Sequence, residues 1–170
     1  EKERATDQPI EFLDKFLQTL HPEAVEGNRR ADLLVKVPLK NGKEKWILLH
    51  IEVQGYQDKH LARRMFTYFH RSLDRFGVPV EALVIFTDNN KRYRPNHYEF
   101  KGIKTNCKYT YNTFKIADYK MEDFAQMNSP LGFIFQTALL GLQKNLKDEE
   151  LLQMKTTLYR KLLEKGYSKE

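Results

Sequence analysis

Asp32 and Glu52 are separated by nineteen residues that read as two short strands joined by a turn. Carboxylates on adjacent strands that face the same way form a hard-oxygen site of the kind Mg²⁺ prefers, completed by a main-chain carbonyl and retained waters. Such a site can act on a phosphodiester: the cation polarises the phosphate, lowers the pKa of a bound water and offsets charge that builds in the transition state. Glu52 also interrupts a run, WILLHIEVQ from Trp46 to Gln54, that is otherwise almost wholly apolar. A carboxylate in such a place requires a cation or a metal beside it. The competing reading is that Asp32 and Glu52 are edge carboxylates balanced by neighbouring Arg and Lys.

The elements that would position these groups follow from periodicity. Ala31 to Val37 is short and β-branched, and Trp46 to Val53 is a second apolar strand, with Asn41-Gly42 between them as a turn signal. Parity puts Leu33, Val35 and Val37 on one face with Ile47, Leu49, Ile51 and Val53. The other face carries Asp32, His50, Glu52 and Gln54. For the apolar faces to coincide, paired residue numbers must sum to an even number. A two-residue loop is thereby excluded, and a three- or five-residue loop or a bulge around Gly42 is predicted. A loop centred on Gly42 sets Asp32 opposite Glu52.

Before this hairpin, Ile10, Leu13, Phe16, Leu17 and Leu20 have helical spacing, and His21-Pro22 ends the segment. After it, Gln57 to Phe76 reads as a helix with Leu61, Met65, Tyr68, Phe69 and Phe76 inward and His60, Arg64, Thr67, Arg71 and Arg75 as a basic stripe. Gly77-Val78-Pro79 stops it, and Ala82 to Thr87 reads as a strand covered on both faces. Strand, helix, strand implies a right-handed crossover, so the sheet is expected to be mixed with helices against it. Lys91 to Lys108 reads as basic, aromatic and irregular, and Tyr109 to Ile116 as a further strand. Met121 to Met127, Leu131 to Leu142 and Asp148 to Lys165 read as helices.

With 41% apolar and 31% charged residues the chain has a globular composition, and its 170 residues suit one domain. No apolar stretch is long enough to span a membrane, and the charged segment Glu1 to Asp7 does not read as a secretory signal, so a cytoplasmic setting is expected. Cys107 is the only cysteine, which excludes an internal disulfide and a thiolate zinc cluster. A net charge of +6 suits a polyanionic partner.

The joined motifs Arg30-Ala31-Asp32-Leu33-Leu34-Val35, Leu49-His50-Ile51-Glu52-Val53-Gln54 and Arg63-Arg64-Met65-Phe66-Thr67-Tyr68 resemble the transposase or recombination-promoting nuclease family within the PD-(D/E)XK nuclease superfamily. The resemblance covers about Arg29 to Asp88. It implies a restriction-endonuclease-like α/β core, a mixed sheet flanked by helices; with the helical pattern after Asp118, residues 1–117 are expected to form that core and 118–170 a helical C-terminal extension packed on it. It further implies a DNA endonuclease dependent on Mg²⁺ or Mn²⁺, with Asp32 and Glu52 as acidic ligands and the carbonyl of Val53 as a third contact. Gln54 stands where the superfamily usually has lysine; glutamine can orient a water but carries no charge and cannot act as a base. Lys36 shares the face of Asp32 but lies about 13 Å along the sheet from Glu52, so His60 or Arg64 is the preferred substitute cation. Glu11 is the candidate for the acidic residue that the superfamily often draws from its first helix. The short link from His21 to Arg30 leaves little room for the superfamily's usual first strand.

Two further features concern partners. His60, Arg63, Arg64, Arg71 and Arg75 on the helix, with Arg92 and Arg94 beyond it, could track a phosphate backbone, or they could be a solvated surface. The alternatives to a nuclease are a catalytically inert nucleic-acid-binding domain of the same fold and an interaction module in which the apolar stripe from Leu151 to Leu162 joins two copies into a homodimer.

Overall fold

A computed structural model describes residues 11–13, 33–38, 46–127, 129–143, 147–164 and 166. Strands β1 (Glu11–Phe12), β2 (Leu33–Pro38), β3 (Trp46–Gln54), β4 (Val80–Phe86) and β7 (Asn112–Lys115) form one sheet in the order β1-β2-β3-β4-β7. Strands β5 (His97–Lys101) and β6 (Asn106–Thr110) form a separate two-stranded ribbon. The helices are α1 (Leu61–Phe76), α2 (Met121–Ala125), α3 (Pro130–Gly141) and α4 (Asp148–Glu164). The result is an α/β fold with a mixed sheet and helices.

Strands β2 and β3 pair antiparallel from Leu33↔Ile51 to Pro38↔Trp46; the paired numbers have the even sum that parity requires, and every pair is centred on residue 42. The turn at Asn41-Gly42 lies outside the described residues. The burial of the two faces differs from expectation. Leu34, Leu48, His50, Glu52 and Gln54 are almost fully buried, whereas on the odd-numbered face Val35 is buried, Leu33, Leu49 and Ile51 are half-buried and Val53 is exposed. The reason is what covers the even-numbered face. Leu34 and Leu48 pack with Leu13, Phe76, Val78 and Val80, and further along β3 the edge of the His50 ring meets Tyr68 of α1, with centroids 4.8 Å apart.

Glu11–Phe12 is a strand and not part of a helix. It pairs antiparallel with β2, Glu11↔Lys36 and Phe12↔Val35, and Leu13 donates its N–H to the Leu34 carbonyl at 2.8 Å. Burying Leu13 against Leu34 and Leu48 favours extension here, and helical spacing alone could not reveal that tertiary gain. A strand therefore does precede β2; residues 21–30 lie outside the described residues. The rest of the expected helix, Ile10 and residues 14–20, lies outside the described residues.

Helix α1 begins four residues later than Gln57 and ends at Gly77, whose φ of 61° and N–H bond to the Leu73 carbonyl at 2.8 Å form a left-handed cap that glycine adopts without strain. Its buried stripe is Leu61, Met65, Tyr68 and Ser72. The stretch Lys91 to Lys108 contains ordered structure where irregularity was expected, and the strand expected at Tyr109 to Ile116 is divided at Tyr111 between the ribbon and the main sheet. The Tyr111 N–H is taken by the Asn96 carbonyl at 3.0 Å, closing the base of the ribbon.

By contact density the chain forms two units, residues 1–85 with 94–114, and residues 86–93 with 115–170. In the second, Lys115 and Asp88 form a buried ion pair at 2.5 Å, with the Lys115 ammonium 5.2 Å from the centre of the Phe86 ring. Helices α2 and α3 approach closely at Gly132, where a Cβ would lie 2.6 Å from the Phe124 carbonyl oxygen. Along α3 and α4 runs a largely apolar groove of about 710 Å³, lined among others by Phe133, Ile134, Leu158 and Leu162. None of the residues of α4 is fully buried.

These packing differences set the expected response to truncation. Leu48→Ala should lower unfolding free energy by about 2–5 kcal/mol, whereas Leu152→Ala, on a side chain 66% exposed, should change it by under about 0.5 kcal/mol. Urea unfolding followed by circular dichroism checks both.

Candidate metal and phosphodiester site

Glu52 and Gln54 lie two residues apart on β3, so both point to the side of the sheet where α1 packs. Both are nearly inaccessible, at 5% and 2% exposure. Across from them Arg64, on the first turn of α1, reaches back from the stripe that its spacing assigned to solvent. Its Nη2 donates to Glu52 Oε1 at 2.6 Å and to Gln54 Oε1 at 3.0 Å, and its Nη1 donates to Asp58 Oδ2 at 2.6 Å. One planar guanidinium thus joins two carboxylates and an amide, the fork geometry that distinguishes arginine from lysine. Burial by itself pulls the Arg64 pKa down, but the Glu52 carboxylate and the hydrogen bonds to Asp58 and Glu52 outweigh it and hold the pKa above the ordinary arginine value.

The connection between β3 and α1 completes this arrangement. Gln54 donates through Nε2 to the Tyr56 carbonyl, so both ends of its amide are engaged by protein groups. Asp58 accepts the His60 N–H at 2.8 Å through its other oxygen, and its own carbonyl takes the Leu61 N–H at 3.2 Å. The carboxylate therefore orders the entry to the helix while it holds Arg64. Asp58 was not singled out from sequence. Its signal was an acidic residue just ahead of a helix start, a common capping pattern with no functional mark of its own.

The expected site residues divide clearly. Glu52, Gln54 and Arg64 are brought together. Val53 follows Glu52 on the strand with its side chain on the opposite, exposed face. His60 contributes its backbone to Asp58, and its side chain is exposed. Glu11 lies on β1, beyond β2 from β3, and pairs with Lys36 at 3.5 Å. Arg63, Arg71 and Arg75 are exposed on α1. Arg92 and Arg94 are exposed too, in the second and first unit respectively. Asp32 lies outside the described residues. Among the described residues no three His, Cys, Asp or Glu side chains gather as a metal cluster. The oxygens that do gather, Glu52 Oε1, Gln54 Oε1 and Asp58 Oδ2, are arranged about the Arg64 guanidinium, and the Glu52 carboxylate among them is of the hard-oxygen donor type that Mg²⁺ or Mn²⁺ takes.

Residues 23–87 match the model of the family described as Putative transposase, YhgA-like. That similarity takes in β2, β3, α1 and β4 and hence the whole Glu52, Gln54, Asp58 and Arg64 cluster, although it spans less than half of the chain. No curated protein and no solved structure matches the chain. Among the described residues no helix is long and apolar enough to cross a membrane.

The cluster should behave as one energetic unit. Arg64→Met strands a buried carboxylate and should cost about 3–5 kcal/mol of stability, and Glu52→Gln should cost a comparable amount. In the double variant the loss should fall short of the sum by about 1–3 kcal/mol. Simple additivity in a denaturation cycle would show that the two groups are not coupled.

Proposed function

We propose that the chain is a DNA endonuclease domain of the PD-(D/E)XK kind, dependent on Mg²⁺ or Mn²⁺ and related to transposase or recombination-promoting nucleases. The observation that carries this reading is the position of Glu52. It is a nearly inaccessible carboxylate on an otherwise apolar strand, inside the segment similar to a transposase family, and it is matched by hard-oxygen donors and an arginine. A carboxylate is not retained there for packing.

In this reading Glu52 and Asp32 would hold the metal; Asp32 precedes Leu33, whose partner across the sheet, Ile51, precedes Glu52. When bound, the metal supplies charge neutralisation at the scissile phosphate and activation of the attacking water. Arg64 takes the electrostatic role left open by glutamine at position 54. It is a fixed positive charge against Glu52, able to stabilise negative charge on a phosphate without itself moving a proton. Gln54 orients Arg64 by accepting one of its N–H groups, and the Tyr56 carbonyl fixes the amide in turn. Asp58 holds the other side of the guanidinium. The proton released by the attacking water passes to solvent or to the phosphate, since neither Gln54 nor Arg64 can accept it.

One observation favours a second reading. Glu52 and Asp58 already have a counter-charge in Arg64, an arrangement equally suited to an inert domain that binds nucleic acid and cuts nothing.

Supercoiled plasmid separates the two. The nuclease reading expects nicking with Mg²⁺ or Mn²⁺, none in EDTA, and a loss of about 100-fold or more in Glu52→Ala and Asp32→Ala. Folded parent protein that leaves the plasmid intact in both metals would establish the inert reading.

A further inference from the structure

The β5–β6 ribbon is anchored at one end and bare at the other. Tyr98 and Tyr109 face each other across it. Tyr98 stacks on Phe66 of α1 with centroids 4.8 Å apart, and Tyr109 stacks on Phe69 at 4.5 Å. Beyond this aromatic anchor the strands continue to the Lys101↔Asn106 pair and a four-residue loop, residues 102–105, closed by the Gly102 N–H bond to the Thr105 carbonyl at 2.7 Å.

At the crest Ile103 is 102% exposed, and Phe100 below it is 50% exposed. Lys101, Lys104 and Lys108 are all exposed around them, with Glu99 bonded to Lys101 at 3.1 Å as the ribbon's acidic group. The face away from α1, His97, Glu99, Lys101, Asn106, Lys108 and Thr110, is polar and exposed throughout. The positive surface continues onto α1, where exposed Arg63 and His70 lie about one turn to either side of Phe66.

A two-stranded ribbon can lie in the DNA minor groove. Lysines along a backbone release counterions and fix register, and an aliphatic side chain carried between them can wedge against a base step. A lipid surface fits less well. One isoleucine buries too little apolar area to hold a membrane, and the ribbon's tyrosines are already committed to α1.

We propose that the β5–β6 ribbon is a duplex-DNA-binding arm, with Lys101, Lys104 and Lys108 on phosphates and Ile103 as the wedge at its tip. This rests on the nucleic-acid reading given above. It adds a surface outside the similar segment, which ends at residue 87.

The test is fluorescence anisotropy of a short labelled duplex with the full chain in EDTA, so that cleavage plays no part. It compares the parent with Lys104→Glu/Lys108→Glu and with Ile103→Ala, all surface changes expected to leave the melting temperature unchanged. The double reversal should weaken binding by about 10-fold or more and flatten the log–log salt slope by about two. Ile103→Ala should keep the salt slope, weaken binding by about 5-fold and reduce the bend read by energy transfer between the duplex ends. Parent-like binding in both variants overturns the arm and leaves the nuclease reading standing. A parent that binds no duplex overturns both. Ile103-dependent sedimentation with anionic phosphatidylserine vesicles, with duplex binding unaltered, overturns the arm in favour of a lipid surface.

Discussion

A carboxylate buried in an apolar strand costs several kcal/mol unless it is paired and hydrogen-bonded, and on β3 Glu52 meets that demand through Arg64. The pairing constrains much of the first unit. Arg64 can reach Glu52 and Gln54 only if the first turn of α1 lies against the end of β3, and Asp58 secures that placement by binding both the guanidinium and the backbone at the helix entry. The burial of Leu61, Met65 and Tyr68 along the same helix then adds the apolar contribution that a charge cluster cannot supply. Polar geometry and apolar packing therefore specify the same docking of one helix on one strand.

The arrangement also explains how glutamine can occupy position 54. A lysine there would bring its own positive charge beside Glu52; here that charge comes from the helix instead. Gln54 is held between Arg64 and the Tyr56 carbonyl, so both ends of its amide are taken by protein groups. The comparable buried pair in the second unit, Lys115 with Asp88, is set among the rings of Phe86 and Tyr93. Ring faces add favourable electrostatics to an ammonium that has lost its water.

The sequence was most legible where a period of two or 3.6 met a clear stop. The even-numbered register of β2 and β3 followed from parity, its centre agrees with the turn signal at Asn41-Gly42, and the end of α1 followed from Gly77. It was least legible where a long side chain or a distant partner decides. Spacing placed Arg64 among exposed cations, because a helical wheel records direction and not reach. Glu11 had helical spacing around it, but pairing with Lys36 and the burial of Leu13 favour a strand. Asp58 sat in a link with no period. The β5–β6 ribbon was obscured by its lysines and by the division at Tyr111, although Tyr98, Phe100, Cys107 and Tyr109 do share a face of it. The apolar run around Glu52 pointed to a buried carboxylate, but the burial of His50 and Gln54 beside it depends on α1 and had no mark in the strand's own pattern.

The central proposal is that Glu52, together with Asp32, holds a divalent cation beside Arg64. Calorimetric titration of Mn²⁺ into the parent chain and into Glu52→Gln, each verified as folded, tests it directly without any substrate. The account predicts saturable binding by the parent that is lost, or weakened by about 10-fold or more, in Glu52→Gln. Absence of binding to the parent, or equal binding by both proteins, would contradict it.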